Sequence, residues 1–130
     1  MTVRISVLIA LVLSTALLAQ TPTLPGDRLG FDQSAATLAE AQSYTYRIYL
    51  DAATVGVTIV ATCTGAVSPF SCTAPLPALT TGTHTSQLTA SLVLPPPDGR
   101  IVESTKSAVF TFRLFAAPAS PSGQRIVPGN

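Results

Sequence analysis

From Tyr44 onward the chain alternates. Tyr44, Tyr46, Ile48 and Leu50 are interleaved with Thr45, Arg47, Tyr49 and Asp51, a period of two in residues that favour strands. Val55, Val57, Ile59, Ala61 and Cys63 continue the pattern against Thr54, Gly56, Thr58, Val60 and Thr62, with Ala52-Ala53 as the connection. Gly65 to Pro69 breaks it, and Phe70, Cys72 and Ala74 resume it. Pro75 to Leu79 is apolar but carries two prolines, so it reads as a crossover rather than a central strand. His84, Ser86, Leu88, Ala90 and Leu92 share the next strand face, and Ala108, Phe110, Phe112 and Leu114 share the last. Ile101 to Lys106 is a polar edge strand or loop. Short strands at near-regular spacing predict an all-β antiparallel β-sandwich of about seven strands.

Three stretches depart from this pattern. Ser34 to Gln42 is the one place outside the leader where a helical turn competes. Gln20 to Gly30 holds Pro22, Pro25 and Gly26 without periodicity and reads as an N-terminal arm, while 116–130 is a flexible Pro/Ser tail. The packed unit is therefore expected over 31–115.

Composition changes the picture at the amino end. Only 10% of residues are charged, against roughly 25% in ordinary soluble domains. Much of the apolar excess lies in residues 1–19, where Arg4 precedes an apolar stretch, Ile5 to Ala19, interrupted by Ser6, Ser14 and Thr15. Such a run is the pattern of a secretory signal peptide and is too short for a spanning helix. Cleavage is expected after Ala19, with Ala16 as the alternative. The rest carries six basic and six acidic groups, a net charge of zero, so no long-range field draws it to nucleic acid or to an anionic membrane. No stable membrane span is expected after cleavage, and the expected location is secreted or periplasmic. Cys63 and Cys72, an even pair in an oxidising compartment, predict a structural disulfide on neighbouring strands or at a loop base.

Three strings resemble bacterial immunoglobulin-like and fibronectin type III-like modules. Gly82-Thr83-His84-Thr85-Ser86-Gln87-Leu88-Thr89-Ala90 resembles their strand-F entry, a Gly-Thr turn followed by a corner residue and an alternating strand. Tyr44 to Asp51 resembles strand C with its Asp-containing turn, and Ser107 to Phe112 resembles the closing strand G. The resemblance implies an Ig-like (fibronectin type III-like) sandwich used as an extracellular spacer, adhesion or recognition module. It carries no catalytic residues over to this chain. The separation of Cys63 and Cys72 is too short for the inter-sheet bridge of antibody domains.

Candidate chemistry is sparse. His84 is the sole imidazole, and no G-x-S-x-G elbow accompanies it, so a strand-entry corner residue is expected and a small hydrolase is a remote alternative. Asp32, Asp51, Asp98 and Glu103 lack the spacing of a calcium loop, and no cofactor is expected. Arg47 and Tyr49 fall on the outward face of their strand. Asp98 and Arg100 close the Pro95-Pro96-Pro97 loop, where fibronectin-type modules display recognition loops. These four residues form the possible binding surface, for an unknown protein or a cell-surface glycan. The leading expectation is a secreted, non-catalytic module with a structural or protein-interaction role.

Overall fold

The computed structural model describes residues 20–126 and 128–129, so the expected signal peptide lies outside the described residues. Nine strands and one short helix follow in the order β1 (Thr21–Thr23), β2 (Arg28–Gln33), α1 (Leu38–Ser43), β3 (Thr45–Leu50), β4 (Val57–Ile59), β5 (Thr62–Thr64), β6 (Phe70–Pro75), β7 (Gly82–Val93), β8 (Ile101–Glu103) and β9 (Phe110–Leu114). They form a β-sandwich. One sheet runs β1-β9-β7-β3-β4, with β8 also paired to β7, and the other runs β2-β6-β5.

Alternation sets which side chains face inward. In β3, Tyr46 and Ile48 are buried, whereas Arg47 and Tyr49 on the opposite face are only half-buried. In β6 the inward set is Phe70, Cys72 and Ala74. Together with Leu29, Ala41, Ile59 and Cys63 they form the core. Tyr46 is the largest polar intrusion. Its hydroxyl donates to the Ala41 carbonyl of α1 at 2.7 Å, and Phe31 packs edge-on with ring centroids 5.0 Å apart. Burial pushes the Tyr46 phenol up to about 12.

The helix foreseen as a competing turn is real and short. Thr37 caps it by accepting from Glu40 N at 3.1 Å, and the Glu40 carboxylate returns to Ala36 N at 2.7 Å. That is a variant of the capping box. Ala41 faces the core with no exposure, so packing holds a helix too short to persist alone.

Four sequence expectations need correction. Residues 20–30 are not a detached arm, because Thr21–Thr23 form β1 and Arg28–Gly30 open β2. Pro22 is tolerated there because β1 is an edge strand. The run Val55 to Cys63 is not one strand but two, since β4 pairs with β3 and β5 with β6. The chain changes sheets at Val60–Ala61. Among the described residues the strands number nine, and β1 runs parallel to β9, so the first sheet is mixed rather than antiparallel.

β8 and β9 pair with β7 along the same side and are separated by the gap at 104–109; β9 is covered in turn by β1, whereas β8 is an edge. Across the gap Ser104 N donates to Ala90 O and Ser107 N to Leu88 O, both at 2.9 Å. Their hydroxyl oxygens accept from Ala90 N and Leu88 N, both at 3.0 Å. Two serine side chains thus stand in for main-chain carbonyls where the strand bows away.

Candidate functional site

The outer face of the larger sheet carries a charged cluster centred on Glu103. Register places Arg47 beside Thr89 and Glu103 beside Ser91, so β3, β7 and β8 each contribute to the same face. The Glu103 carboxylate accepts from Thr89 Oγ1 at 2.5 Å and from Tyr49 Oη at 3.1 Å, and Arg47 Nη1 lies 3.5 Å away. These hydroxyls, and then the cations Arg47 and Lys106, hold the Glu103 carboxyl below the usual carboxylate range. Lys106 Nζ sits 3.9 Å over the Tyr49 ring. Gly56 lies against the same ring, since a Cβ there would fall 2.7 Å from Tyr49 Cζ. Tyr49 is therefore packed against its neighbours and does not present a free face for stacking on a sugar.

Asp98 and Arg100 do not join this cluster. Their loop begins beyond Val93, four residues past the position level with Arg47, a distance of about 13 Å at the usual strand rise. There they pair with each other, Arg100 Nε and Nη2 donating to the two Asp98 oxygens at 2.5 and 2.8 Å. The loop is closed by Leu94 N to Arg100 O at 2.8 Å. The four expected binding residues thus divide into two separate pairs.

Cys63 and Cys72 are disulfide-bonded and directly opposite each other on β5 and β6, with Cα atoms 4.0 Å apart. Both are buried. The bond joins neighbours within one sheet and fixes their register.

His84 stands at the start of β7, pointing inward. Its Nδ1 lies 2.8 Å from Asp51 Oδ2 and its Nε2 lies 2.8 Å from the Thr80 carbonyl oxygen. Asp51 Oδ1 accepts from Thr85 N at 2.9 Å, and Asp51 N donates to Thr85 O. Both ring nitrogens face acceptors, an arrangement that favours the doubly protonated ring. The Asp51 bond, followed by the Thr80 bond, raises the His84 pKa. The same His84 contact, followed by Thr85 N–H, lowers that of Asp51. A histidine engaged in this way has no free nitrogen with which to take a proton from a nucleophile. Sequence reasoning identified His84 but not its partner. Asp51 lies 33 residues away, and a turn aspartate alone carries no such signal.

Among the described residues no group of three His, Cys, Asp or Glu side chains could hold a metal ion, and no helix is long and apolar enough to cross a membrane. Comparison with family models, curated proteins and solved structures finds no match.

Proposed function

We propose that the chain is an exported β-sandwich module, of the Ig-like and fibronectin type III-like kind, that acts through structure and protein contact rather than catalysis. The observation that carries this reading is the engagement of the sole imidazole. His84 is spent on Asp51 and Thr80, which ties the β3–β4 turn to the entry of β7. Its place near the start of β7, bonded to a carbonyl four residues upstream, parallels the tyrosine corner of Ig-like sandwiches.

Strand order supports the same kinship. The sheet β2-β6-β5 follows the B-E-D order, and β3-β7-β9 follows C-F-G. Only the first strand differs, because it joins the last strand of the opposite sheet. Export is supported by the leader pattern of residues 1–19 and by the oxidised Cys63–Cys72 pair. Protein contact is favoured over glycan stacking because Lys106 and Gly56 occupy the Tyr49 ring.

Fractionation with mass analysis tests the reading. The expected product is an extracytoplasmic chain lacking the leader, two mass units lighter than its dithiol form, and captured by cross-linking to another protein. Recovery only from the cytoplasm with two free thiols, or a turnover abolished by His84→Ala, would sink it.

A further inference from the structure

The sandwich is open along one flank. β2 is a terminal strand of its sheet, and nothing among the described residues pairs with its outer edge. Pro75 faces Arg28 across the β2–β6 ladder, and proline has no N–H to exchange. Antiparallel pairs alternate between bonded and non-bonded. Leu29, Phe31 and Gln33 therefore bond to β6, and Gly30 and Asp32 turn their main-chain groups outward.

Beneath this edge lies an apolar cleft in two parts. The upper part, about 340 Å³, runs between Leu29 and Phe31 of β2, Leu88 of β7 and Phe110 of β9, with the bowed segment 104–107 at its rim. The lower part, about 350 Å³, lies between β2, Thr21 and Thr23 of β1, and Phe110 and Phe112 of β9. Phe110 remains 45% exposed at their junction, a costly position for a phenyl ring with nothing above it.

We infer that this flank is a strand-addition site for a single extended peptide from a partner protein, lying antiparallel to β2. The proposal rests on the reading of the chain as a protein-contact module and names the contact. Three features define the occupant. The outward main-chain groups of Gly30 and Asp32 require an extended backbone. The cleft takes apolar side chains at alternate positions, because successive residues of a strand point to opposite faces. The outer face of β2 offers Arg28 and Asp32 on either side of Gly30. Both are exposed, and neither joins an ion pair among the described residues. An antiparallel strand meets them with a base opposite Asp32 and, four residues later, an acid opposite Arg28.

Thr21, Thr23, Phe110 and Phe112 of the larger sheet line the cleft beside β2, so an occupant paired to β2 lies against both sheets as a single strand.

The probe is a labelled, end-capped octapeptide of sequence TVKVTVET, titrated against the leaderless protein by fluorescence anisotropy. It places valines in the cleft, lysine opposite Asp32 and glutamate opposite Arg28. Saturable binding is expected, weakened about tenfold or more by either Arg28→Glu or Asp32→Lys. The charge-exchanged peptide TVEVTVKT should recover the loss in the double variant, and N-methylation of the amides facing β2 should abolish binding. Both substituted residues are exposed, and circular dichroism verifies the fold of each variant. The proposal is overturned by absence of saturation up to about 1 mM peptide, or by binding indifferent to the charge reversals. A concentration-dependent dimer that those reversals dissociate would overturn it in favour of a second copy. Export, thiol state and His84-independent behaviour are measured separately, so failure here leaves the module reading intact.

Discussion

Asp51 and His84, 33 residues apart in sequence, form a contact of 2.8 Å that closes one end of the sandwich. The aspartate is on the β3–β4 turn and the histidine on β7. The second histidine nitrogen reaches Thr80, so the pair also anchors the crossover from β6. The ring packs beside Phe112, centroids 5.8 Å apart.

This contact makes stability depend on pH from both sides. The His84 pKa is raised above its ordinary 6.5, so its contribution is full below about 6.5 and is lost as pH rises through the raised value. The Asp51 pKa is lowered below its ordinary 3.8, so its contribution is full above about 3.8 and is lost as pH falls through the lowered value. Urea midpoints should therefore form a plateau between those limits and decline on the alkaline side. His84→Ala should cost about 1–3 kcal/mol on the plateau and flatten the alkaline limb. An unchanged alkaline limb would assign that decline to another group.

The same turn stores strain next to the contact. Asp51 and Ala52 have φ of 50° and 60°, and Ala53 N bonds to Leu50 O at 2.9 Å. Positive φ at both central residues is the signature of a type I′ hairpin turn, where glycine is favoured at the second. Ala52→Gly relieves the Cβ conflict, and a gain of about 0.5–1 kcal/mol is expected. It should appear as a higher urea midpoint with an unchanged slope. A lower midpoint would mean that the greater freedom of glycine in the unfolded chain outweighs the relief.

How much of this was legible depended on whether alternation carried the information. It located β3, β7 and β9, because each alternates inward and outward side chains, although Phe110 at the head of β9 is left 45% exposed. It could not show the sheet change at Val60–Ala61. Ile59 and Cys63 point inward from opposite sheets onto one core, so the period of two runs through the crossing unbroken. β1 was hidden by its three-residue length and by Pro22, which an edge position permits. The Glu103 cluster was half legible. Arg47 and Tyr49 were on the expected face, but Glu103 reaches them from β8 and Lys106 from the segment that follows it, a placement that depends on the β7–β8 pairing.

That cluster can be tested through Gly56. A Cβ at this position would lie 2.7 Å from Tyr49 Cζ, inside any real contact, so Gly56→Ala must displace the ring. The ring would then leave Lys106 and its hydroxyl would leave Glu103. Destabilisation of about 1–2 kcal/mol is expected, the usual cost of overpacking. In a Tyr49→Ala background the same substitution should be nearly neutral, because the obstacle is gone. Equal costs in both backgrounds, measured by a double-mutant cycle, would refute the coupling.

The disulfide yields the largest expected effect. Cys63 and Cys72 are nine residues apart in sequence and face each other on adjacent strands, so the bond closes a short loop whose native form is a hairpin. In the chain-entropy model a loop of this size stabilises the fold by about 2.5–3 kcal/mol, by restricting the unfolded chain. The partner strands are short, since β5 has three residues and its pairing with β6 is all that ties it into the smaller sheet. Two buried thiols would remain after reduction, packed beside Tyr46, whose hydroxyl lies 3.8 Å from Cys63 Sγ. The double replacement Cys63→Ala, Cys72→Ala should therefore lose at least the entropic amount. It should also accelerate amide exchange in β5 and β6 ahead of β3 and β7. Uniform acceleration across both sheets would instead mean that the bond supports the whole sandwich cooperatively, with no local role in β5.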